Sequence, residues 1–495
     1  MNFFSTRDCG RTPYSAAQVI KQGLADDGGL FVPESIPALT QEDMNRLISL
    51  PYPERAADIL GRFLTDYTAQ ELLADCRAAY SEPSFRGGTA PLRYTDDQTA
   101  VLELWHGPTA AFKDMALQIM PRLLSRALVK TGEKRTSLIL VATSGDTGKA
   151  ALEGYKDIDG IKIIVFYPVD GVSTVQKLQM ATQAGNNVAV RAIRGNFDDA
   201  QTGVKTLFAD ETLARELNDR GVFLSSANSI NWGRLAPQIV YYVSAYCDLV
   251  ADGKIKMGEE INVCVPTGNF GNIFAAYLAK RMGLPLGKLI CASNANNILT
   301  DFLRTGVYDR NRDFYLTMSP SMDILISSNL ERLLYFVAGH EKTIGYMKAL
   351  KETGRYAVEP EILAKINEMF VGYCADEAQT AATISDYKTR YDYLIDTHTA
   401  VACSATAQYR ADNAEDGRVT VIASTASPYK FAASVYRSLT GKDAHSDLAA
   451  LEQLREASGV EITYPLCGLE SRAVRFKEVI EPEQMRSAVT DFAQQ

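Results

Sequence analysis

One lysine and three glycine-rich turns carry the residue types and spacing from which chemistry can be built. Lys113 lies in Glu103-Leu104-Trp105-His106-Gly107-Pro108-Thr109-Ala110-Ala111-Phe112-Lys113-Asp114-Met115-Ala116-Leu117-Gln118, at a helix start that follows a turn in an otherwise apolar stretch. A lysine taken out of water loses the stabilisation of its charge, so its pKa falls and the neutral amine can attack an aldehyde. Schiff-base chemistry needs that property. The window also fits a plainer reading, in which the ammonium snorkels from a helix end and Asp114 supports the N-terminal turn. His106 fits a hydrogen-bonded, partly buried imidazole as well as a functional one.

The three turns each follow an apolar run. Thr143-Ser144-Gly145-Asp146-Thr147-Gly148 follows the run ending at Ala142, Pro266-Thr267-Gly268-Asn269-Phe270-Gly271-Asn272 follows Ile261 to Val265, and Ser424-Thr425-Ala426-Ser427-Pro428 follows Val419 to Ala423. A strand that feeds a Gly-rich turn and then a helix points several backbone N–H groups at one spot, beside the positive end of the helix dipole. That is an anion site, and the second turn makes the best phosphate cradle because Gly268 and Gly271 let the backbone approach closely while Thr267, Asn269 and Asn272 add donors. Taken singly, each turn fits a plain tight turn equally well. Nucleotide signatures do not fit: Gly-x-Gly-x-x-Gly is absent from these turns, and the Gly148-Lys149 pair has Thr143 where a P-loop requires glycine and Ala150 where it requires Ser or Thr.

The elements that must position these residues have a legible order. Residues 1 to about 92 carry helical stretches at Ala16 to Leu24 and Ala56 to Tyr80, with a turn and short extended piece at Asp27-Gly28-Gly29-Leu30-Phe31-Val32-Pro33 between them. Short apolar runs then alternate with helical stretches: Ser137 to Ala142, Ile161 to Phe166, Val188 to Ile193, Ile261 to Val265, Leu289 to Ala292 and Val419 to Ala423. Such runs suit strands covered on both faces, hence a parallel sheet in an α/β architecture with ligands at the C-terminal strand ends. Helix-like sequence such as Asn329 to Phe336 and Pro360 to Tyr373 marks an insertion. The expected division is a mainly helical region at 1–92, an α/β region at 93–310 with a smaller subdomain at about 136–195, a helical insertion at 311–390, and the remainder of the large domain at 391–495.

With 495 residues, 46% of them hydrophobic and 22% charged, the chain has ample material for buried cores and ordinary globular composition. A net charge of −9 without a basic run argues against nucleic acid, but it leaves a small anionic substrate open because local donors outweigh a distant net charge. The eight cysteines show no framework spacing and are expected to be reduced. No window reaches the about 18 apolar residues of a membrane span, and the first residues lack the pattern of a leader, so a cytoplasmic protein without membrane partners is expected.

The segment Gly107-Pro108-Thr109-Ala110-Ala111-Phe112-Lys113-Asp114 resembles the cofactor-lysine motif of the threonine synthases. Ser5-Thr6-Arg7 with Gly23 to Pro33, Thr143 to Gly148, Gly195 to Gln201, Asn228 to Trp232, Pro266 to Asn272, Ser319 to Ile324 with Ser328 to Arg332, Asp396 to Val401, and Ser424-Thr425-Ala426 resemble further family motifs, in family order over nearly the whole chain. The long N-terminal region and the helical insertion resemble the subgroup of enteric bacteria and fungi. The resemblance implies the type II (tryptophan-synthase β-like) fold of pyridoxal-phosphate (PLP) enzymes and conversion of O-phospho-L-homoserine and water to L-threonine and phosphate. It implies further that Lys113 carries PLP as a Schiff base, that the amides of Gly268, Asn269, Phe270, Gly271 and Asn272 hold its phosphate, and that Thr425 faces the pyridine nitrogen. Ser144, Gly145, Asp146 and Thr147 would surround the substrate carboxylate or the cofactor O3′. Thr109, Asn231, Arg234 and Lys149 are candidates for the leaving phosphate, although Arg234 fits a surface ion pair and Lys149, where a small residue is the family's norm, fits a solvent-facing end. No metal is expected, and the protein is expected as a monomer or homodimer. A phospho-lyase that yields 2-oxobutyrate and a non-catalytic ligand-binding relic of the fold are the competing functions.

Overall fold

Runs of aliphatic and β-branched residues pair into two largely parallel sheets, and the order of strands in the larger one decides where the chemistry sits. The structure is a computed structural model that describes residues 1–143, 145–169 and 172–495. Across the larger sheet the order is Phe370–Cys374, Leu286–Ser293, Ile261–Pro266, Thr420–Ser424, Thr99–Glu103 and Leu92–Asp96. The first five run parallel, and Leu92–Asp96 closes the edge antiparallel. Every residue of Ile261–Pro266 and Thr420–Ser424 is buried, which accounts for runs without a polar alternate face. The covering helices Pro237–Ala251 and Gly271–Arg281 are buried almost all round, so they lack the polar stripe of a surface helix.

The smaller sheet has the order Val479–Ile480, Val188–Ile193, Ile161–Pro168, Thr136–Ala142, Val222–Ser226, parallel throughout. It thus draws on residues beyond the 136–195 segment. One edge comes from the C-terminal stretch, whose helix Met485–Gln494 buries Met485, Val489 and Phe492 beside Leu138 and Ile164.

Two helical spans differ from the sequence reading. The stretch 56–80 is two helices, Tyr52–Phe63 and Ala69–Ala79, because Thr68 takes a reciprocal capping box with Glu71 and starts the second one. The helix from Pro360 ends at Met369, and Phe370–Cys374 continues as a strand in register with Leu289–Ser293. Pairing with a buried sheet edge overrides local helical spacing there. Near the N-terminus Phe31–Pro33 pairs antiparallel with Phe3–Ser5.

The eight cysteines are free thiols. No helix among the described residues is long and apolar enough to cross a membrane. Among the described residues no group of three or more His, Cys, Asp or Glu is placed to hold a metal ion.

Candidate active site

Thr99–Glu103, Thr420–Ser424 and Ile261–Pro266 are neighbouring parallel strands, so their C-terminal ends open at one edge and deliver the Lys113 turn, the Thr425 turn and the Gly268–Asn272 turn together. Two hydrogen bonds splice the first two turns: Phe112 N donates to the Thr425 carbonyl at 2.8 Å and Ser427 N to the Ala110 carbonyl at 3.0 Å, around a bridge between Ala111 and Ala426. The turn before the lysine is closed by Asp114, which accepts from Thr109 N at 2.8 Å and Thr109 Oγ1 at 2.7 Å. Gly107 is required there, since a Cβ on it would lie 2.5 Å from the Asp114 carboxylate.

Lys113 takes the N-cap position of the short helix Asp114–Leu117. Burial lowers its pKa; Asp146 opposes that shift, while Arg234 and Lys430 add to it. The amine lies 3.8 Å from Asp146 Oδ2, and the other Asp146 oxygen lies 2.9 Å from Lys430 Nζ. Burial alone would raise the Asp146 pKa, but Lys430 and Lys113 outweigh it and hold this carboxylate ionised, well below the usual range. Asp114, fully buried, is pushed up by desolvation to about 7 despite its bonds from Thr109.

The second turn is shaped for an anion. The carbonyl of Gly268 accepts from Ser327 Oγ at 2.6 Å, and that of Asn269 accepts from Asn329 N and Nδ2 at 3.1 and 3.0 Å. With the carbonyls committed behind the turn, the amides face forward, and among the described residues nothing accepts from those of Gly268, Asn269, Phe270, Gly271 or Asn272. Phe270 holds a left-handed φ of 60° at the helix start, a strained conformation of the kind that clusters at ligand clamps. Asn272 turns its oxygen to Tyr241 Oη at 2.6 Å and Tyr242 Oη at 2.5 Å, which leaves its buried Nδ2 donor without a partner.

Family comparisons agree over most of the chain. Residues 2–80 match a family described as "Threonine synthase N terminus", 99–425 match "Pyridoxal-phosphate dependent enzyme", and 399–463 match "Threonine synthase, C-terminal". The threonine synthase of Pseudomonas aeruginosa is 39% identical over 449 residues, which cover 89% of this chain and 91% of that one. The chain belongs to the threonine synthase family. Human threonine synthase-like 1 is 40% identical over 440 residues, 86% of this chain, and the match spans 58% of the human protein's length. Among solved structures, the PLP-bound threonine synthase of Brucella melitensis is 36% identical and superimposes with a TM-score of 0.87 over 100% of both chains.

The fold is that of the type II PLP enzymes, and the family's cofactor suits the residues present. A desolvated amine, an acceptor-free set of forward amides, the unpartnered Asn272 amide and the buried Thr425 hydroxyl match an aldehyde, a phosphate and a pyridine nitrogen in turn. The first turn of the threonine synthase motif set is held by Thr143 Oγ1, which accepts from Gly145 N at 3.0 Å and Gly148 N at 2.9 Å. Gly145, with a φ of 141°, leaves room for Gln176, whose Nε2 donates to Asp146 at 2.9 Å. Thr147 is partly buried, and Ser144 lies outside the described residues.

Of the four candidates for the leaving phosphate, the structure leaves one with a free buried donor. Arg234 is buried; its Nη1 donates to the Ala227 carbonyl at 2.6 Å, its Nε has no partner, and desolvation lowers its pKa to about 10. Among the described residues no carboxylate pairs with it, unlike the surface ion pair that the sequence left open. Thr109 is committed to Asp114, and Asn231 to the Ile20 carbonyl and to capping Gly233 N. Lys149 does not end in solvent: it is buried against Glu153 Oε2 at 3.1 Å and Gln183, at the wall of a cavity of about 590 Å³ that Arg86, His106, Tyr464 and Arg472 also line.

Lys430 escaped the sequence reading, and Arg332 entered it only as the end of a family motif. Lys430 is wholly buried beside Asp146, and its signal was a lysine in the apolar stretch directly after the Thr425 turn. Arg332 is buried behind the cradle, donating to Asn329 Oδ1, to the Phe31 carbonyl at 2.9 Å and to the Ile230 carbonyl at 2.6 Å. Neighbouring Glu331 accepts from Thr6 Oγ1 at 2.6 Å and from Arg7 Nη2 at 2.6 Å, so the N-terminal motif residues brace the site from outside.

Proposed function

We propose that this chain is a threonine synthase, which converts O-phospho-L-homoserine and water to L-threonine and phosphate. The observation that carries the reading is a desolvated Lys113 spliced to the Thr425 turn at the same sheet edge as five acceptor-free amides. The amides of Gly268, Asn269, Phe270, Gly271 and Asn272, with Asn272 Nδ2, would hold the phosphate of PLP, and Thr425 would meet its ring nitrogen. Bound PLP supplies an electron sink for the pair released at substrate Cα. Lys113 holds the cofactor between turnovers and, when freed, takes and returns protons at substrate Cα and Cβ; its lowered pKa suits it to accept them.

Asp146 is an anion, so a substrate carboxylate would be met by the amides of Asp146 and Thr147 and by the Thr147 hydroxyl, with Gly145 N held by Thr143 and the Asp146 side chain directed to the two lysines. Arg234, with its free donor, would receive the departing phosphate, while Thr109 and Asn231 hold the backbone that frames it. Lys149 would set the charge of the neighbouring cavity without touching the reacting atoms. The free thiols suit a reducing compartment, and we place the protein in the cytoplasm as a monomer or homodimer acting on a small anionic amino acid.

Incubation with O-phospho-L-homoserine tests the reading. Threonine and phosphate are expected in equal amounts; a predominance of 2-oxobutyrate would instead establish the phospho-lyase, and no turnover with no cofactor band would establish the binding relic.

A further inference from the structure

Lys430 is a charged side chain with no exposure: its ammonium pairs with Asp146 Oδ1 at 2.9 Å and donates to Gln179 Oε1 at 2.7 Å and to the Thr109 carbonyl at 3.2 Å. These acceptors come from three segments. Asp146 opens the helix after the first turn, Gln179 lies on the helix Thr174–Ala181, and Thr109 belongs to the lysine turn. Gln176, one helical turn before Gln179, fastens the same Asp146 oxygen at 2.9 Å. The carboxylate is therefore drawn toward Lys430 and held there, and its far oxygen stands off from Lys113 at 3.8 Å.

We infer that Lys430 is a positioning residue for Lys113: by fastening Asp146 from the far side, it keeps that anion from closing on the Lys113 amine and leaves the amine free to react. The groups facing Lys113 are Asp146, Arg234, Lys430 and Asp114, with the Phe112 ring 5.2 Å from its nitrogen. Of these, Asp146 is the strongest attraction toward a charged lysine. Among the described residues, removal of Lys430 would leave Asp146, itself buried, with Lys113 as its remaining cationic partner, and an uncompensated buried anion is costly. Asp146 would then turn to Lys113 and hold it as an ammonium, which cannot attack an aldehyde. The inference rests on Lys113 being the cofactor lysine, but its test does not depend on which reaction follows.

The whole 495-residue chain, freed of cofactor by dialysis against hydroxylamine, is labelled with a trace of acetic anhydride between about pH 6 and 10, and acetylation of Lys113 is followed by mass spectrometry. Lys430→Gln and Lys430→Met are each expected to raise the labelling midpoint by about one pH unit or more, which leaves roughly tenfold less reactive amine at a fixed lower pH. Lys430→Arg keeps the charge and is expected to restore most of the shift. Asp146→Asn is expected to move the midpoint downward, since it removes the attraction itself. A residue with a merely structural role would not move the first two variants and the last in opposite directions. Circular dichroism identifies the variants that fold. An unchanged or lowered midpoint in either folded Lys430 variant, or a raised one in Asp146→Asn, overturns the inference. A raised midpoint with little threonine formed by the wild-type protein would leave the inference standing and sink the proposed reaction.

Discussion

At the scale of single residues, the site works through groups whose charge is set by burial. Lys113→Ala is expected to abolish both the absorbance band at roughly 400–430 nm that PLP gives on a lysine and all measurable turnover; an absorbance titration with PLP and a product assay check it. Asp114, next in sequence, has a raised pKa of about 7 against an ordinary 3.8. Between those values the folded chain keeps a proton that the unfolded chain releases, so rising pH favours unfolding across that window and the penalty is complete above about 7. Asp114→Asn cannot ionise. Urea unfolding at a series of pH values from 4.5 to 7.5 is expected to show wild type losing stability relative to the variant as pH rises; the weakened bonds from Thr109 add an offset that does not change with pH. The apolar window fitted a structural lysine as well as a reactive one, and the resemblance to the family motif singled Lys113 out; Asp146 was named only for the substrate carboxylate or the cofactor O3′, and Lys430 was not named. Asp146 and Lys430 are 33 and 317 positions away from Lys113, and no local pattern links them to it.

At the scale of elements, the cradle depends on close approach of backbones. A Cβ on Gly268 would lie 2.7 Å from the Ser321 carbonyl, which itself belongs to a turn pinned by a 3.1 Å bond from Ser321 N to His398 Nε2. Gly268→Ala is expected to weaken PLP binding about tenfold or more with little change in the far-ultraviolet circular dichroism, because relief of that contact must displace the amides. Equilibrium dialysis of the cofactor gives the number. Strand positions were legible from apolar runs bounded by glycine, and five of the six runs named from sequence begin within a residue or two of the observed strands; Leu289 starts three residues late. Thr99–Glu103, Val222–Ser226 and Phe370–Cys374 were not, because their ends carry polar residues or continue a helical pattern and only the neighbouring strand makes them extended.

At the scale of the molecule, the N-terminal layer and the inserted helices meet at the residues that hold the carbonyl side of the cradle. Arg332 joins Phe31, Ile230 and Asn329, and Asn329 in turn holds the Asn269 carbonyl. Lysine has no planar fork and cannot reach all of these acceptors. Arg332→Lys is expected to cost on the order of 2–3 kcal/mol in unfolding free energy and to weaken PLP binding although the residue does not face the cofactor; denaturant melts with and without PLP check both. The sequence displayed the Ser5-Thr6-Arg7 and Glu331-Arg332 motifs but not that they touch, since they stand more than 320 positions apart.

Strand order has a further consequence for how the protein comes into being. Thr420–Ser424 inserts between Ile261–Pro266 and Thr99–Glu103, so the larger sheet is two separate pieces until Thr420–Ser424 has left the ribosome. The lysine turn has no Thr425 to lean on before that point, and Val479–Ile480 closes the smaller sheet later still. Vitamin capture is therefore a late event of biosynthesis, and a nascent chain stalled before its last strands carries its reactive lysine with nothing to aim it.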